Sequence, residues 1–317
     1  MPSSARQKVV LVLDDGPMTR NVLDAFHRQG LKFFYLDYLQ LVEQGRVHLE
    51  TGDSSEIALG GARLRLRDVA AVIGRGPLPI RMAQRHRDHE RAIFWDRWTQ
   101  LLLDLRGVLA PEVIWLPSHP LNGHPEWQNK FSELRVARRC GLCVPETICT
   151  NDPEVARAFM KRYRASVLLK DASLAGRAFS VTRIRSGEKF RGLQQSPTVL
   201  QQSIDKAYDI RAVFVGDTVL AARIDSQASP SARLDWRVYD DARVKWERTN
   251  LPPATKRGAF RLLRALDLTW ASIDFAVDRD EKHYFLEANR PGACFWLLPY
   301  AGLDVAAQIA AYLKRVL

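Results

Sequence analysis

The chain has 317 residues, of which 46% are apolar and 26% are charged, and its net charge is +11. This composition is typical of globular proteins, and the length allows two or three domains. The amino terminus lacks the pattern of a signal peptide and no apolar run reaches the length of a membrane span, so we expect a cytoplasmic protein without a membrane partner.

The excess of positive charge favours one of three roles: binding nucleic acid, binding an acidic peptide or a phosphorylated ligand, or solubility alone. Lysine and arginine are scattered through every segment, and zinc-finger and RNA-recognition signatures are absent. Nucleic acid is therefore the least favoured partner, and we expect none.

The first 120 residues alternate strand-like and helix-like patterns. In chain order the predicted elements are strand Lys8–Leu13, helix Thr19–Gln29, strand Lys32–Tyr35, strand Val69–Gly74 and helix Arg85–Leu105. Apolar residues of the last helix, among them Ile93 and Phe94, recur at helical spacing and are expected to face the core. The first βα turn lacks G-x-G-x-x-G, which argues against a dinucleotide site. The pattern predicts an α/β domain over residues 1–120 that opens with a βαβ unit.

Residues 121–200 form a second predicted domain. Its elements are helix Trp127–Cys140, a helix that ends near Tyr163, and strands Ser166–Lys170, Ala178–Ile184 and Thr198–Gln201. Phe131 and Leu134 are expected to face inward from the first helix. The loop Asp171–Arg177 has a lysine at its mouth and one glycine, so it either folds over phosphates or simply closes a hairpin.

The last predicted domain spans residues 201–317 and has an α+β pattern. Strands Asp209–Val215 and Thr218–Ile224 flank a Gly216-Asp217 turn and form the clearest hairpin in the chain. The remaining predicted elements are a strand that begins at Trp236-Arg237 and the helices Ala254–Leu266 and Leu303–Leu317.

A second hairpin in this domain brings polar side chains together. Ala271–Val277 and His283–Glu287 are strand-like and are joined by a charged turn. If the turn is centred on its middle residues, Asp274 lies opposite Glu287, and Asn289 follows on the same face. Two carboxylates about 5 Å apart repel each other, and together with a carboxamide they form a ligand set that suits Mg²⁺. The alternative is a solvated hairpin face without a metal.

The order of motifs from Trp127 onward resembles that of the ATP-grasp ligases. The motifs that carry the resemblance are Asn129-Lys130, Lys170, Gln201-Gln202-Ser203-Ile204, Asp209-Ile210-Arg211, Asp235-Trp236-Arg237, Asp274 and Glu287-Ala288-Asn289. The stretch KAYDIRAVFVGDTVLAARI is similar to the RimK-type amino-acid ligases. Asp225-Ser226-Gln227, the Asp235-Trp236-Arg237 motif and Trp296 resemble more closely the microviridin-type maturases, which cross-link side chains of a ribosomal precursor peptide (graspetides). The resemblance implies an ATP-grasp fold with an N-terminal βαβ pre-ATP-grasp domain.

The resemblance also implies a role for each matching residue. The cofactor-binding residues would be Lys130, Lys170, Gln201, Gln202, Ser203, Ile204 and Asp209. Of these, the lysines would hold ATP phosphates, the Gln201–Ile204 backbone would contact adenine, and Asp209 would take the ribose or its neighbourhood. Arg211 and Arg237 would be catalytic and would face the γ-phosphate and the acyl phosphate. The metal ligands would be Asp274, Glu287 and Asn289, for one or two Mg²⁺ ions or for Mn²⁺ as a substitute.

The proposed chemistry asks for these residue types independently. A carboxylate is a poor electrophile until ATP phosphorylates it, and positioning and charge neutralisation dominate phosphoryl transfer. Arginine suits this task because its planar fork binds two phosphoryl oxygens at once.

Three functions follow from these considerations. The first is an ATP-dependent ligase that activates Asp or Glu side chains of a precursor peptide with an acidic core and forms ester or amide cross-links. The second is a RimK-like ligase that adds amino acids to a small molecule or a protein tail. The third is a nucleotide-binding protein without turnover. Dimers are common in such folds, so a homodimer is one option, and the sequence leaves the oligomeric state open.

Overall fold

The computed structural model confirms the predicted α/β fold class. Strands from along the whole chain, interspersed with helices, form three larger sheets and one small one. The residues that the structure describes are 8–13, 19–74, 89–118, 130–163, 166–170, 181–184, 193–238, 244–289 and 294–317. Within these ranges no helix is both long enough and apolar enough to cross a membrane.

The amino-terminal part is built on a parallel sheet. Its elements are β1 (Val9–Leu13), α1 (Thr19–Gln29), β2 (Phe33–Leu36), α2 (Tyr38–Gln44), β3 (Arg46–His48), β4 (Glu56–Leu59), β5 (Ala62–Arg65), β6 (Val69–Gly74), α3 (His89–Val108) and β7 (Ile114–Leu116). The parallel strands follow the order β2-β1-β6-β7, and β3, β4 and β5 form a separate antiparallel sheet. The βαβ opening is confirmed, whereas α2 and the small sheet were not predicted.

Helix α3 covers the core with only part of its length. Leu105 and the following Leu109 are buried in the core beside Leu11 and Val72 of the parallel sheet. Ile93 and Phe94 are exposed, so the prediction that they face the core is wrong. The reason is that helical spacing identifies an apolar stripe but does not show where the neighbouring sheet ends.

The central part is an antiparallel sheet with one helix packed on it. In chain order come α4 (Lys130–Arg139), β8 (Thr147–Thr150), α5 (Pro153–Arg162), β9 (Val167–Lys170), β10 (Val181–Ile184) and β11 (Thr198–Gln202). The strand order is β10-β9-β11-β8. Helix α5 begins where Asp152 accepts a hydrogen bond from the Glu154 N–H and Pro153 occupies the first turn. The predicted phosphate-covering loop Asp171–Arg177 lies outside the described residues.

The carboxy-terminal part is a five-stranded antiparallel sheet with helices on both faces. Its elements are β12 (Lys206–Val215), β13 (Thr218–Ile224), β14 (Trp246–Thr249), α6 (Pro253–Ala265), β15 (Trp270–Asp278), β16 (His283–Asn289), α7 (Leu297–Ala301) and α8 (Val305–Val316). The strand order is β14-β13-β12-β15-β16. The strand predicted at Trp236-Arg237 is wrong: Trp236–Val238 is a 3-10 turn. The turn forms because the Asp235 carboxylate accepts the Arg237 N–H two residues on, which closes an Asx turn.

One face of this sheet is apolar along β12 and β15. Phe214, Ile273 and Phe275 pack there against the helices α4 and α6, with Leu134 as the contact from α4. Leu134 is buried as predicted, but Phe131 is exposed, so its predicted inward orientation is wrong. Helix α4 thus packs on the last sheet although it precedes the central sheet in sequence. The division into domains at 1–120, 121–200 and 201–317 stays a prediction.

The other face of the same sheet is divided. At one end Val213, Val215 and Trp270 join Val10 of the parallel sheet and Ile309 of α8 in a shared core. At the other end the same strands carry charged and amide side chains. Side chains on a strand alternate between its two faces, so every second residue lies on this face. Along each strand the apolar residues of the core are therefore followed on the same face by the polar ones.

Glycine at position 258 is required by close packing rather than by backbone conformation. Gly258 lies inside α6, and a Cβ there would lie 2.7 Å from Leu142 Cδ2 and 3.3 Å from the Cys140 carbonyl oxygen. Alanine normally stabilises a helix by about 1 kcal/mol relative to glycine, but overpacking costs about 1–3 kcal/mol. We therefore expect Gly258→Ala to lower the free energy of unfolding, measured by urea denaturation.

Gly107 near the end of α3 provides the matched control. A Cβ at this position would meet nothing within 4 Å. Gly107→Ala is expected to raise the free energy of unfolding by up to about 1 kcal/mol. A gain of similar size in both variants would contradict the packing explanation.

Candidate functional site

The polar end of the divided face is formed by three neighbouring strands, β12, β15 and β16. The backbone register places Arg211 opposite Asp274, and Asp274 opposite Glu287. Asn289 lies opposite Ser272, two residues from Asp274 on the same strand face. The predicted pairing of Asp274 with Glu287 is therefore confirmed, and Asn289 belongs to the same group.

A β-bulge produces this pairing. Between the turn and Phe275, the hairpin pairs Val277 with His283 and Phe275 with Phe285. Without an irregularity the next residue, Asp274, would face Leu286. The register shifts at this point, so that Asp274 faces Glu287 instead. Bulges commonly re-aim side chains beside functional sites, and this one brings the second carboxylate to the first.

Arg211 and Asp274 form a buried ion pair at the centre of the site. The Arg211 guanidinium donates to both carboxylate oxygens of Asp274 at 2.9 and 2.8 Å, and each residue is 4% exposed. The Asn289 amide donates to Asp274 Oδ2 and to Glu287 Oε1, both at 3.2 Å. The amide thus joins the two carboxylates, and all three side chains bear oxygens within one small region.

Asp274 is harder to ionise than a solvent-exposed aspartate. Burial raises the pKa of Asp274 to about 6; the Arg211 charge opposes this rise, and the negative charge of Glu287 adds to it. Burial is the main cause of this rise and the charge of Glu287 adds to it, so a cation beside the pair would favour the ionised form of Asp274. Two carboxylates and a carboxamide are the hard oxygen donors that Mg²⁺ prefers. The side chains present therefore fit Mg²⁺, and their role as its ligands stays a prediction.

Arg237 approaches the carboxylate pair from the 3-10 turn. Its guanidinium makes a two-point contact with Asp235, Nε to Oδ1 at 2.8 Å and NH2 to Oδ2 at 2.6 Å. Its third nitrogen lies 3.7 Å from Glu287 Oε1. Although burial opposes it, the hydrogen bonds from Arg237 lower the pKa of Asp235, and the same contact raises the pKa of Arg237. Arg237 is therefore held as a cation, and its side chain is still partly exposed.

Aromatic side chains line the edge of the site, and sequence reasoning noted only two of the four. The Arg211 guanidinium lies 5.7 Å from the centre of the Trp236 ring. Trp236 in turn contacts Trp246 and Trp296, each with ring centres 5.5 Å apart, and Tyr300 packs against Trp246 at 5.7 Å. No spacing in the sequence brings these rings together, because they come from three separate segments. Trp236 and Trp296 were noted as parts of the motifs that carry the resemblance, whereas Trp246 and Tyr300 were not.

The residues predicted to hold the nucleotide lie in other elements. Lys170 ends β9, and Gln201 is buried in β11, where its amide donates to Thr147 Oγ1 at 2.9 Å. The Gln202 N–H donates to the Glu146 carbonyl, and the Ser203 N–H donates to the Ser166 carbonyl. The described contacts of these residues are made within the central sheet. Lys130 begins α4; Ile204 is half-buried in the link between β11 and β12.

Asp209 is almost completely buried, at 1% exposure. Its Oδ2 atom accepts hydrogen bonds from Lys206 Nζ at 2.7 Å and from the Ser226 hydroxyl at 2.5 Å. Burial raises the pKa of Asp209, against the attraction of the Lys206 ammonium. The predicted contact of Asp209 with the ribose stays a prediction, and the side chain is held by protein groups.

Comparison with known proteins gives one family match. Residues 127–313 match the model of the RimK-like ATP-grasp domain. No curated protein matches the chain significantly.

Alignments with several solved structures cover almost the whole chain. The macrocyclase MdnC from Microcystis aeruginosa MRC, bound with its precursor peptide MdnA, is 26% identical with a TM-score of 0.77, and the alignment covers 98% of this chain and 100% of MdnC. A RiPP-associated ATP-grasp ligase from Chryseobacterium gregarium, in complex with ADP and a leader and core peptide, is 21% identical with a TM-score of 0.75 over 98% and 97%. The ATP-grasp ligase PsnB, complexed with a precursor variant, Mg and ADP, is 20% identical with a TM-score of 0.74 over 98% of each chain. The last two likenesses are evidence of a shared fold.

The pKa of Asp274 predicts a pH-dependent response to Mg²⁺. Since this pKa is raised in the folded protein, the stability that Asp274 contributes is present below about pH 4 and is lost as the pH rises through about 6. A bound divalent ion offsets the loss, and below about pH 6 a proton competes with it. We expect Mg²⁺ to raise the melting temperature more at about pH 7.5 than at about pH 5. Sodium chloride at matched ionic strength is the control, and an equal Mg²⁺ effect at both pH values would contradict the assignment.

The buried ion pair predicts a large loss of stability when its cation is removed. Arg211→Met leaves Asp274 buried beside Glu287 without a compensating charge, and such losses typically cost about 3–5 kcal/mol. The exposed pair Arg279–Asp205, with side chains 75% and 84% exposed, provides the control. Arg279→Met is expected to change the free energy of unfolding by less than about 1 kcal/mol. Chemical denaturation of both variants at neutral pH measures the difference.

Proposed function

Because this chain belongs to the RimK-like ATP-grasp family and is therefore an ADP-forming ligase, we propose that it acts on a ribosomal precursor peptide. In this proposal it activates Asp or Glu side chains as acyl phosphates and joins them to hydroxyl or amine groups of the same peptide. Ligases of this family use ATP and Mg²⁺. The products would be ester or amide cross-links that close rings.

The observation that carries the proposal is the meeting of two arginines and a carboxylate pair at one end of the sheet. Arg211 is bound to Asp274, and Arg237 extends from the 3-10 turn to 3.7 Å from Glu287. Such a site holds two positive groups beside a candidate Mg²⁺ position. Phosphoryl transfer needs this arrangement, since charge spreads over the phosphoryl oxygens in the transition state.

Each protein group then has a separate task. Asp274, Glu287 and Asn289 would hold Mg²⁺, which when bound neutralises charge on phosphate oxygens. The partly exposed Arg237 donates hydrogen bonds to the transferred phosphoryl group and to the acyl phosphate. The buried Arg211 keeps Asp274 oriented and adds positive charge close to the reacting atoms. The acceptor oxygen or nitrogen attacks the acyl carbon, its proton is lost, and phosphate leaves with the bonding electrons.

A peptide substrate is supported by similarity and by charge. MdnC, the structure at 26% identity, was solved with its own precursor peptide, and the alignment spans both chains almost completely. The net charge of +11 favours an acidic partner, because long-range attraction speeds association with a peptide of opposite charge. The acidic core of that peptide, a second metal ion, the use of Mn²⁺ and a homodimer are further parts of the proposal.

An intact-mass experiment tests the proposed reaction. The protein is incubated with ATP, Mg²⁺ and, as the candidate substrate, a synthetic copy of any short peptide with an acidic core that the neighbouring genes encode. Each cross-link expels one water, so the peptide is expected to lose about 18 Da per ring, with one ADP formed for each. A mass gain on an acceptor would indicate the RimK-like addition of amino acids instead. Nucleotide binding without release of ADP would contradict a ligase function altogether.

A substitution of Glu287 tests the role of the carboxylate pair. Glu287→Gln removes one negative charge and one predicted Mg²⁺ ligand but keeps the shape of the side chain. ADP formation is expected to fall by at least about a hundredfold, because substituting even a residue that only supports a metal ligand typically costs about 10- to 100-fold in metal affinity or activity. The circular dichroism spectrum is expected to stay unchanged. Glu247→Gln on the exposed surface of β14 is the matched control and is expected to keep full activity. Undiminished turnover in Glu287→Gln would remove the metal assignment.

A further inference from the structure

A buried ion pair at the start of β12 lies outside the metal-binding group. Lys206 Nζ contacts Asp209 Oδ2 at 2.7 Å, with side chains 10% and 1% exposed. The other oxygen, Asp209 Oδ1, is buried without a hydrogen-bond partner among the described residues. Burying both charges is costly, so this pair is expected to serve a purpose that an apolar contact would not.

The pair holds the segment between β13 and the 3-10 turn at two points. Near the beginning of the segment, the Ser226 hydroxyl donates to Asp209 Oδ2. Near its end, Lys206 Nζ donates to the Leu234 carbonyl at 3.4 Å. Between these points, the Gln227 amide donates to the Ser226 hydroxyl at 3.1 Å and to the Arg233 carbonyl at 3.4 Å. One ion pair therefore fixes both ends of residues 226–234.

The segment leads directly into the residues that face the candidate metal position. The next residue, Asp235, holds the Arg237 guanidinium by a two-point contact, and Arg237 extends from there to 3.7 Å from Glu287. Trp236, between them, lies against Arg211. A shift of Leu234 would displace Asp235, Trp236 and Arg237, because they follow it directly in the chain.

We propose that Lys206 and Asp209 are a positioning pair, which sets residues 226–234 so that Arg237 faces Glu287. Asp209 then acts through Arg237 and does not contact the ribose. The burial of Asp209 supports this role, because a ribose hydroxyl needs an accessible carboxylate oxygen. The importance of Arg237 for phosphate binding rests on the proposed function, whereas the effect of the pair on the segment does not.

Hydrogen–deuterium exchange tests the mechanical part of the proposal without substrate or turnover. Asp209→Asn and Lys206→Met are expected to speed amide exchange in residues 226–238 by roughly tenfold or more, because local opening becomes easier. Lys206→Arg, which keeps the charge, is expected to restore part of the protection. Asp205→Asn removes the neighbouring exposed ion pair and is expected to leave exchange unchanged. Unchanged exchange in Asp209→Asn would overturn the proposal.

Nucleotide binding distinguishes positioning from direct ribose contact. Calorimetry gives the dissociation constants of Mg·ADP, Mg·2′-deoxy-ADP and Mg·3′-deoxy-ADP for the wild type and for Asp209→Asn. For each protein, the constant of each deoxynucleotide is divided by that of Mg·ADP, which gives two ratios. A positioning residue leaves both ratios as they are in the wild type. A ribose ligand makes one ratio collapse toward one in the variant, and that result would overturn the proposal.

The same substitution should lose its effect when Arg237 is absent. Asp209→Asn is expected to weaken binding of Mg·AMPPNP by about tenfold in the wild type and by less than about twofold in the Arg237→Gln background. The reason is that both substitutions remove the same contact, that of Arg237 with the nucleotide. Equal losses in both backgrounds would contradict action through Arg237. If Asp209→Asn fails to fold, Ser226→Ala removes a single donor from Asp209. It then takes the place of Asp209→Asn in the hydrogen exchange and Mg·AMPPNP measurements, with the same outcomes.

Discussion

The site depends on one interaction, the buried contact between Arg211 and Asp274. It places a positive and a negative charge on a buried face of the sheet, where water screens neither of them. Glu287 lies beside Asp274, and Asp235 holds Arg237 next to it, so three carboxylates share two guanidinium groups. That imbalance is the physical basis for expecting a divalent cation, and it also explains why the arginine cannot be removed without cost.

The two ends of the divided sheet face serve different purposes. Where the strands carry valine and tryptophan, they pack with the parallel sheet and helix α8 and hold the amino-terminal part in place. Where the same strands carry charges, the covering elements are a 3-10 turn and a group of aromatic rings. A rigid apolar core therefore continues directly into the reactive region, which keeps the charged side chains in fixed positions.

Much of the fold and part of the site were predictable because alternation in strands and spacing in helices are local properties. The β12–β13 hairpin and the pairing of Asp274 with Glu287 follow from such patterns. Symmetric counting about the turn reached the correct pair, although the turn itself is centred differently and the bulge makes up the difference. Ile93 was mispredicted because its burial depends on where the neighbouring sheet ends. The turn at Trp236 was mispredicted because a strand-like pattern does not show that Asp235 closes an Asx turn there. The surroundings of Asp209 likewise depend on a segment distant in sequence, so its burial could not be read from its own strand.

The bulge at Leu286 separates the geometry of the carboxylates from the geometry of the turn. Between the turn and the bulge the strands keep their own register, so changes in the charged loop can be absorbed before they reach Glu287. A change at the bulge has no such protection: losing one residue there would move every later side chain of β16 to the opposite surface. Natural variation in this hairpin should therefore be tolerated at its tip and resisted at a single interior position that carries no charge.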